Sequence, residues 1–241
     1  MDGESERAHN LYSKAAFEAI SREWVRVGWS LRYYHNFSWF GRPVLQMPED
    51  LIRLQEVIYR VRPDVIIETG VHQGGSLMFH ATLCQTMGKG RVIGVDIRIE
   101  EHVREAIGKH RVAPLVSLVE GDSTAPEVIN RVAAMIHGEE SVLIILDSGH
   151  TKSHVSRELE CYSRWVTPGS YIIAADGIMR DLADVPGGQP EWVIDNPGTA
   201  ADEFAARHPE FRQQQPSWLF HDGELAENVT YWPGAWLERV R

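Results

Sequence analysis

A chain of 241 residues, 43% of them apolar, is long enough for one α/β domain with a large core and extensions. The formal charge of −10, with no cluster of Lys or Arg, argues against nucleic acid and anionic membrane as partners and leaves a small neutral or cationic molecule as the expected substrate. No apolar run approaches the roughly 20 residues of a membrane span, and the acidic, polar opening at residues 1–7 reads as neither signal nor transit peptide, so a cytoplasmic protein is expected.

In chain order, residues 11–35 read as a helix with a heavy aromatic load, followed by an irregular segment carrying Trp39 and Phe40. A second helix starts at Pro48, with proline and acids in its first turn, and runs to about Arg62. Strands then alternate with helices: strands at 64–68, 91–95, 115–119, 142–147 and 170–175, helices at 75–87, 100–109, 125–137 and 151–165. This spacing predicts a doubly wound, mostly parallel sheet with right-handed crossovers. The Gly- and Pro-rich residues 177–199 are either a lid over the carboxyl edge or a solvated loop. A helix at 199–207 and an antiparallel pair, 217–221 with 229–237, complete the expected fold. Residues 1–62 read as an N-terminal helical extension and 63–241 as the cofactor-binding part of one structural domain. Cys84 and Cys161, the two cysteines, fall in helical apolar patterns and read as buried, reduced thiols.

The most informative stretch is Asp64 to Ser76, where a β-branched strand ends in Glu68, Gly70 follows, and Gly74-Gly75-Ser76 opens a helix. A glycine turn from a buried strand into a helix lets a ligand approach the backbone and meet the helix-start amides. The other strands also end in acids: Asp96, Asp122 with Ser123, Asp147 and Asp176. An acid after the second strand suits the two hydroxyls of a ribose, and Asp122 with Ser123 suits the amine and ring edge of adenine. The order Glu68-x-Gly70-x-x-x-Gly74-Gly75 differs from the dinucleotide G-x-G-x-x-G. A carboxylate beside a pyrophosphate is repulsive, whereas beside a sulfonium or ammonium it is favourable. S-adenosylmethionine therefore fits better than NAD. His72, in the loop, either touches the methionyl part or only closes the turn.

Residues 38–48, 63–76 and Leu146-Asp-Ser-Gly-His150 resemble the cephalosporin hydroxylase-like and rhamnosyl O-methyltransferase family. The resemblance implies the fold of class I S-adenosylmethionine methyltransferases, a Rossmann-like sheet, and substrates among antibiotics or glycolipid sugars. It implies cofactor contacts for Glu68, Gly70, Ser76, Asp96, Asp122 and Ser123, joined by His72, Gly74, Gly75 and Asp147 on the loop and rim. It also implies an acidic cluster able to hold Mg²⁺, matched here by Asp147 and Asp176. Metal-binding members carry two adjacent polar or acidic residues after the fifth strand, where this chain reads Ala174-Ala175-Asp176-Gly177.

Methyl transfer needs alignment, exclusion of water and a route for the acceptor's proton. Asp147, His150 and Asp176 are the expected catalytic set, His150 serving as the base or, alternatively, as a helix cap. His150 and His154 also stand at metal-ligand spacing on a helix, although the Glu of a zincin motif is missing. A non-haem iron site conflicts with the strand-helix alternation. Trp29, Tyr33, Tyr34, Trp39 and Phe40, with Tyr33, Trp39 and Phe40 foremost, are the candidate wall for an apolar substrate, the aromatic segment otherwise being packing or a homo-oligomer (dimer or larger) interface. The expected reaction is methylation of a natural-product hydroxyl. The alternatives are metal-free methylation of an amide or carbamoyl nitrogen, an NAD-linked oxidoreductase, and a cofactor-binding partner subunit without its own chemistry.

Overall fold

The computed structural model describes residues 11–241, so the opening heptad and the first ten residues of the expected extension lie outside the described residues. The order begins with α1 (Lys14–Ser30), β1 (Ser38–Trp39), β2 (Arg42–Pro43), α2 (Pro48–Val61), β3 (Val65–Thr69), α3 (Gly75–Met87), β4 (Arg91–Asp96) and α4 (Glu101–Gly108). It continues with β5 (Val116–Glu120), α5 (Pro126–Ala133), β6 (Val142–Leu146), α6 (Lys152–Tyr162), β7 (Tyr171–Ala174), α7 (Pro197–Arg207), β8 (Phe211–Gln213) and β9 (Trp236–Arg239). Among the described residues no helix is long and apolar enough to cross a membrane.

Seven strands form one sheet in the order β5-β4-β3-β6-β7-β9-β8; the first five are parallel, and β9 is antiparallel to both neighbours. Strand alternation divides the side chains between two cores. Ile66, Leu143 and Ile173 pack with α2, α3 and α4, whereas Ile67, Ile144 and Ile172 pack with α5, α6 and α7. Both faces are covered, which is why these strands read as continuous apolar runs. The strand order reverses between β3 and β6, the point where such sheets bind ligands beyond the carboxyl ends.

Two expectations fail. Residues 217–221 form no strand, and of 229–237 only Trp236 and Leu237 enter one, β9, which pairs with β8 at Phe211–Gln213 instead. Pro216 interrupts the ladder donors just ahead of the expected strand, and Trp218 Nε1 donates to Asn228 Oδ1 at 2.7 Å, tying this stretch into a loop. The first helix stops at Ser30 rather than at 35, because Arg32 takes a left-handed φ of 55° and a short 3₁₀ turn, Tyr33–Asn36, follows. Of the cysteines, Cys84 is buried and Cys161 only partly so; both are free.

Residues 182–193 are largely exposed but are tied to α1 at three points. Arg26 makes a two-oxygen bond to Asp184, both contacts 2.8 Å, Ser30 Oγ donates to the Pro186 carbonyl at 3.2 Å, and Trp29 packs edge-on against Trp192.

The C-terminal segment is anchored by Asp50 in the first turn of α2, which accepts from the Thr230 hydroxyl and from Tyr231 N at 2.9 Å. Burial pushes this carboxyl up to about 7 despite the two bonds. The folded value lies above the ordinary one, so the native state holds the proton more tightly than the unfolded chain. Stability is therefore fullest below pH 4 and falls as pH rises from about 4 to 7, by at most about 4 kcal/mol. Asp50→Asn, whose amide can accept from Tyr231 N and donate to Thr230, should flatten that part of the profile. Melting temperatures at pH 5 and 8 check this: wild type should lose more than the variant, and parallel losses would refute the assignment.

Candidate active site

Gly70 leaves β3 with φ +94°, and a Cβ there would lie 1.9 Å from the Asp147 carbonyl oxygen. Gly75, the first residue of α3, passes so close under β2 that a Cβ would lie 2.0 Å from the Pro43 carbonyl oxygen. Asp96 fastens the loop between them: its Oδ2 accepts from Val71 N at 2.7 Å and His72 N at 3.0 Å. Arg42 donates to the Gln73 carbonyl from β2. His72 itself sits at φ 43°, a conformation that costs energy for a residue with a Cβ.

This loop is one wall of a cavity of about 570 Å³ along the carboxyl ends of the parallel strands, a volume within the usual range for small-molecule sites. It also runs past the ends of β4, β5, β6 and β7, since Asp96, Asp122, Asp147 and Asp176 all line it. From β5 to β7 is four strand spacings, roughly 19 Å.

Of the expected cofactor residues, Gly70, His72, Gly75, Ser76, Asp96, Asp122, Ser123 and Asp147 line this cavity, and so do His150 and Asp176. Glu68 and Gly74 do not. Glu68 is fully buried beneath the loop, where Ser76 Oγ donates to its Oε2 at 2.9 Å, and Gly74 turns toward Ile107 of α4. Glu68 thus holds Ser76 and makes no direct contact with the cavity. Tyr33, Trp39 and Phe40 also lie off the cavity wall. Tyr33 packs edge-on with Trp24 and Phe37. Trp39 packs on Phe79 and donates from Nε1 to Thr82 at 2.8 Å. Phe40, at the positive-φ corner of the β1–β2 hairpin, points to solvent at 70% exposure. Of the expected wall only Tyr34 lines the cavity, joined by His35. The left-handed Arg32 ends the helix ahead of both, a break that aromatic spacing alone does not reveal.

Asp147, His150 and Asp176 converge, with one ligand atom of each within 4.8 Å of the others. His150 Nε2 stands 3.7 Å from Asp176 Oδ2, too far for a hydrogen bond. Asp176 holds a left-handed φ of 61° as it turns out of the sheet. Burial, then the charges of Asp176 and Glu68, raise Asp147 well above the usual carboxylate range, opposed by a 3.2 Å bond from Gln46 Nε2. His150 and His154 do not form a pair of ligands; His154 turns toward Ser148 and Glu158. Two carboxylates with a nearby imidazole and no cationic side chain among them suit Mg²⁺ held partly through water, and a divalent cation would relieve the repulsion felt by Asp147.

A family model described as Rhamnosyl O-methyltransferase/CmcI matches residues 31–240. The chain belongs to the rhamnosyl O-methyltransferase/CmcI family. It is a methyltransferase that uses S-adenosylmethionine. The rhamnosyl O-methyltransferase of Mycobacterium leprae is 28% identical over 163 residues, covering 64% of this chain and 68% of that protein. CmcI, solved in a Mg–SAM form, superposes with a TM-score of 0.55 at 18% identity, covering 86% of this chain and 78% of CmcI. MycE of the mycinamycin biosynthetic pathway, solved with Mg and SAH, gives 0.50 at 20% identity over 80% of this chain and 48% of its own. These likenesses bear out the Rossmann-like methyltransferase sheet.

Proposed function

We propose that this methyltransferase transfers a methyl group to a hydroxyl oxygen of a small natural product, with the adenosine end of the cofactor over β4 and β5 and the acceptor over β6 and β7. The observation that carries the reading is the meeting of Asp147, His150 and Asp176 at one end of a cavity whose other end holds Asp122 and Ser123. When bound, S-adenosylmethionine supplies a methyl group on a positively charged sulfur, and Mg²⁺ held by Asp147 and Asp176 would acidify the acceptor hydroxyl.

The chain's own residues have three tasks. The glycine loop and the β1–β2 hairpin enclose the cofactor and keep water away. The carboxylates of Asp147 and Asp176 give the site a negative field that suits a cationic donor. His150 Nε2, which makes no hydrogen bond to Asp176 at 3.7 Å, takes the acceptor's proton, and the nearby carboxylate stabilises the imidazolium that forms. In this reading residues 1–62 are an extension that walls the acceptor side through Tyr34 and His35. The exposed apolar residues of α1 and its C-cap, among them Ile20, Val27 and Leu31, form a contact between copies of a cytoplasmic oligomer. Light scattering that returned a monomer would remove that last element.

Incubation with S-adenosylmethionine and a panel of glycosides and macrolides should give a product heavier by one methylene, with the methyl on oxygen. EDTA should cut the rate at least about tenfold and Mg²⁺ restore it. A methyl on nitrogen formed at an undiminished rate in EDTA would replace this reading with metal-free N-methylation.

A further inference from the structure

Beside the adenosine end of the cavity lies a chain of polar groups that methyl transfer does not use. Glu158 of α6 is fully buried, and its Oε1 accepts from Ser148 Oγ at 2.8 Å. With its single proton spent there, Ser148 Oγ can only accept from His154 Nε2, 3.1 Å away. That nitrogen therefore carries hydrogen, in keeping with the raised proton affinity that Glu158 gives the ring. The same Nε2 lies 3.3 Å from Ser123 Oγ. Gly149 lies against the imidazole, where a Cβ would come 3.1 Å from Cδ2, so the backbone keeps the ring in this place.

The consequence falls on Ser123, which is 5% exposed and lines the cavity. Because Nε2 carries hydrogen, Ser123 Oγ cannot donate to it; the 3.3 Å approach is the longer arm of one N–H shared with Ser148 Oγ at 3.1 Å, and the Ser123 proton is left for a partner inside the cavity, since a nearly buried hydroxyl proton without a partner is costly. Next to it, Asp122 Oδ1 is occupied by the amide and the hydroxyl of Thr124, both at 2.8 Å, while Oδ2 is free to accept. A donor beside an acceptor complements the N1 and 6-amino edge of adenine, and it opposes the N1–H and 6-oxo edge of hypoxanthine. We propose that Glu158, Ser148 and His154 act as positioning residues that fix Ser123 as a donor to the purine, so that the enzyme selects an adenine cofactor over its 6-oxo counterpart. The inference rests on the S-adenosylmethionine reading of the cavity.

Calorimetric titration of the full chain with S-adenosylhomocysteine and with S-inosylhomocysteine tests it. Wild type should bind the adenine compound at least about 100-fold more tightly. His154→Leu should compress that ratio at least about tenfold, while His154→Gln, whose side-chain amide can donate to Ser123, should keep most of it. Ser123→Ala, a small change that removes the donor itself, should compress the ratio as well. A wild-type ratio near one, or an unchanged ratio in His154→Leu or Ser123→Ala, would overturn the proposal. No binding of S-adenosylhomocysteine by wild type would overturn the cofactor assignment itself.

Discussion

Replacing His150 with Ala should lower turnover by about 10²- to 10⁴-fold while leaving the affinity for S-adenosylhomocysteine nearly unchanged. The expectation follows from where the ring stands. His150 lines the end of the cavity proposed for the acceptor, away from the Asp122 and Ser123 end proposed for the adenosine, and it makes no hydrogen bond to Asp176 at 3.7 Å. Removing it deletes a proton acceptor without opening the glycine loop. Asp147→Asn should behave differently. It keeps the size of the side chain and a carbonyl for Gln46 Nε2, but removes a charge from both the metal set and the donor end of the cavity. Turnover and Mg²⁺ activation should then fall together. Single-turnover rates with saturating cofactor, measured beside calorimetric binding, separate the two variants. A His150→Ala enzyme with wild-type turnover would leave the ring a structural cap only.

Much of this site was legible in residue order because the physics is local. The run Val65–Ile67 announces a strand buried on both faces, and the change to Gly74-Gly75-Ser76 announces a helix start. Each parallel strand ends at the same sheet edge, so residues at strand ends, from Asp96 to Asp176, share one rim wherever the intervening helices pack. What was not legible depends on single dihedral angles and on long-range partners. Glu68 stands last but one in its strand, yet it faces inward beneath Ser76 and not the ligand, because neighbouring strand residues point to opposite faces. Of the aromatic wall only Tyr34 reaches the cavity, since φ 55° at Arg32 ends the helical phase, Trp39 packs on Phe79 and Phe40 turns to solvent. The edge strand was misplaced because a three-residue Phe-Arg-Gln segment carries almost no alternation, whereas the more apolar stretch at 217–221 is held by Asn228 as a loop. His154 was visible only as a partner for His150; of its actual partners Glu158 is one turn on in α6, while Ser123 and Ser148 come from the loops after β5 and β6.

Gly70→Ala should destabilise the fold by more than about 3 kcal/mol, and the comparison with Gly88→Ala isolates the reason. Both glycines have positive φ, +94° and +65°, so both substitutions carry the conformational cost of a left-handed alanine, about 1 kcal/mol. At Gly88 a Cβ meets nothing within 4 Å. At Gly70 it would sit 1.9 Å from the carbonyl oxygen of Asp147, the residue whose N–H donates to the Thr69 carbonyl at 2.9 Å and so locks β6 to β3. Relief requires the two central strands to part at their carboxyl ends, which breaks that bond and carries the Asp147 carboxylate out of line with His150. Stability and turnover should therefore fall together in Gly70→Ala, and only stability, slightly, in Gly88→Ala. Urea midpoints for the two variants and wild type read the first quantity, and methyl transfer at a temperature where all three remain folded reads the second. Equal losses of stability in the two variants would mean that the β3–β6 junction yields freely, and a soft junction could not hold the carboxylate in register with the base.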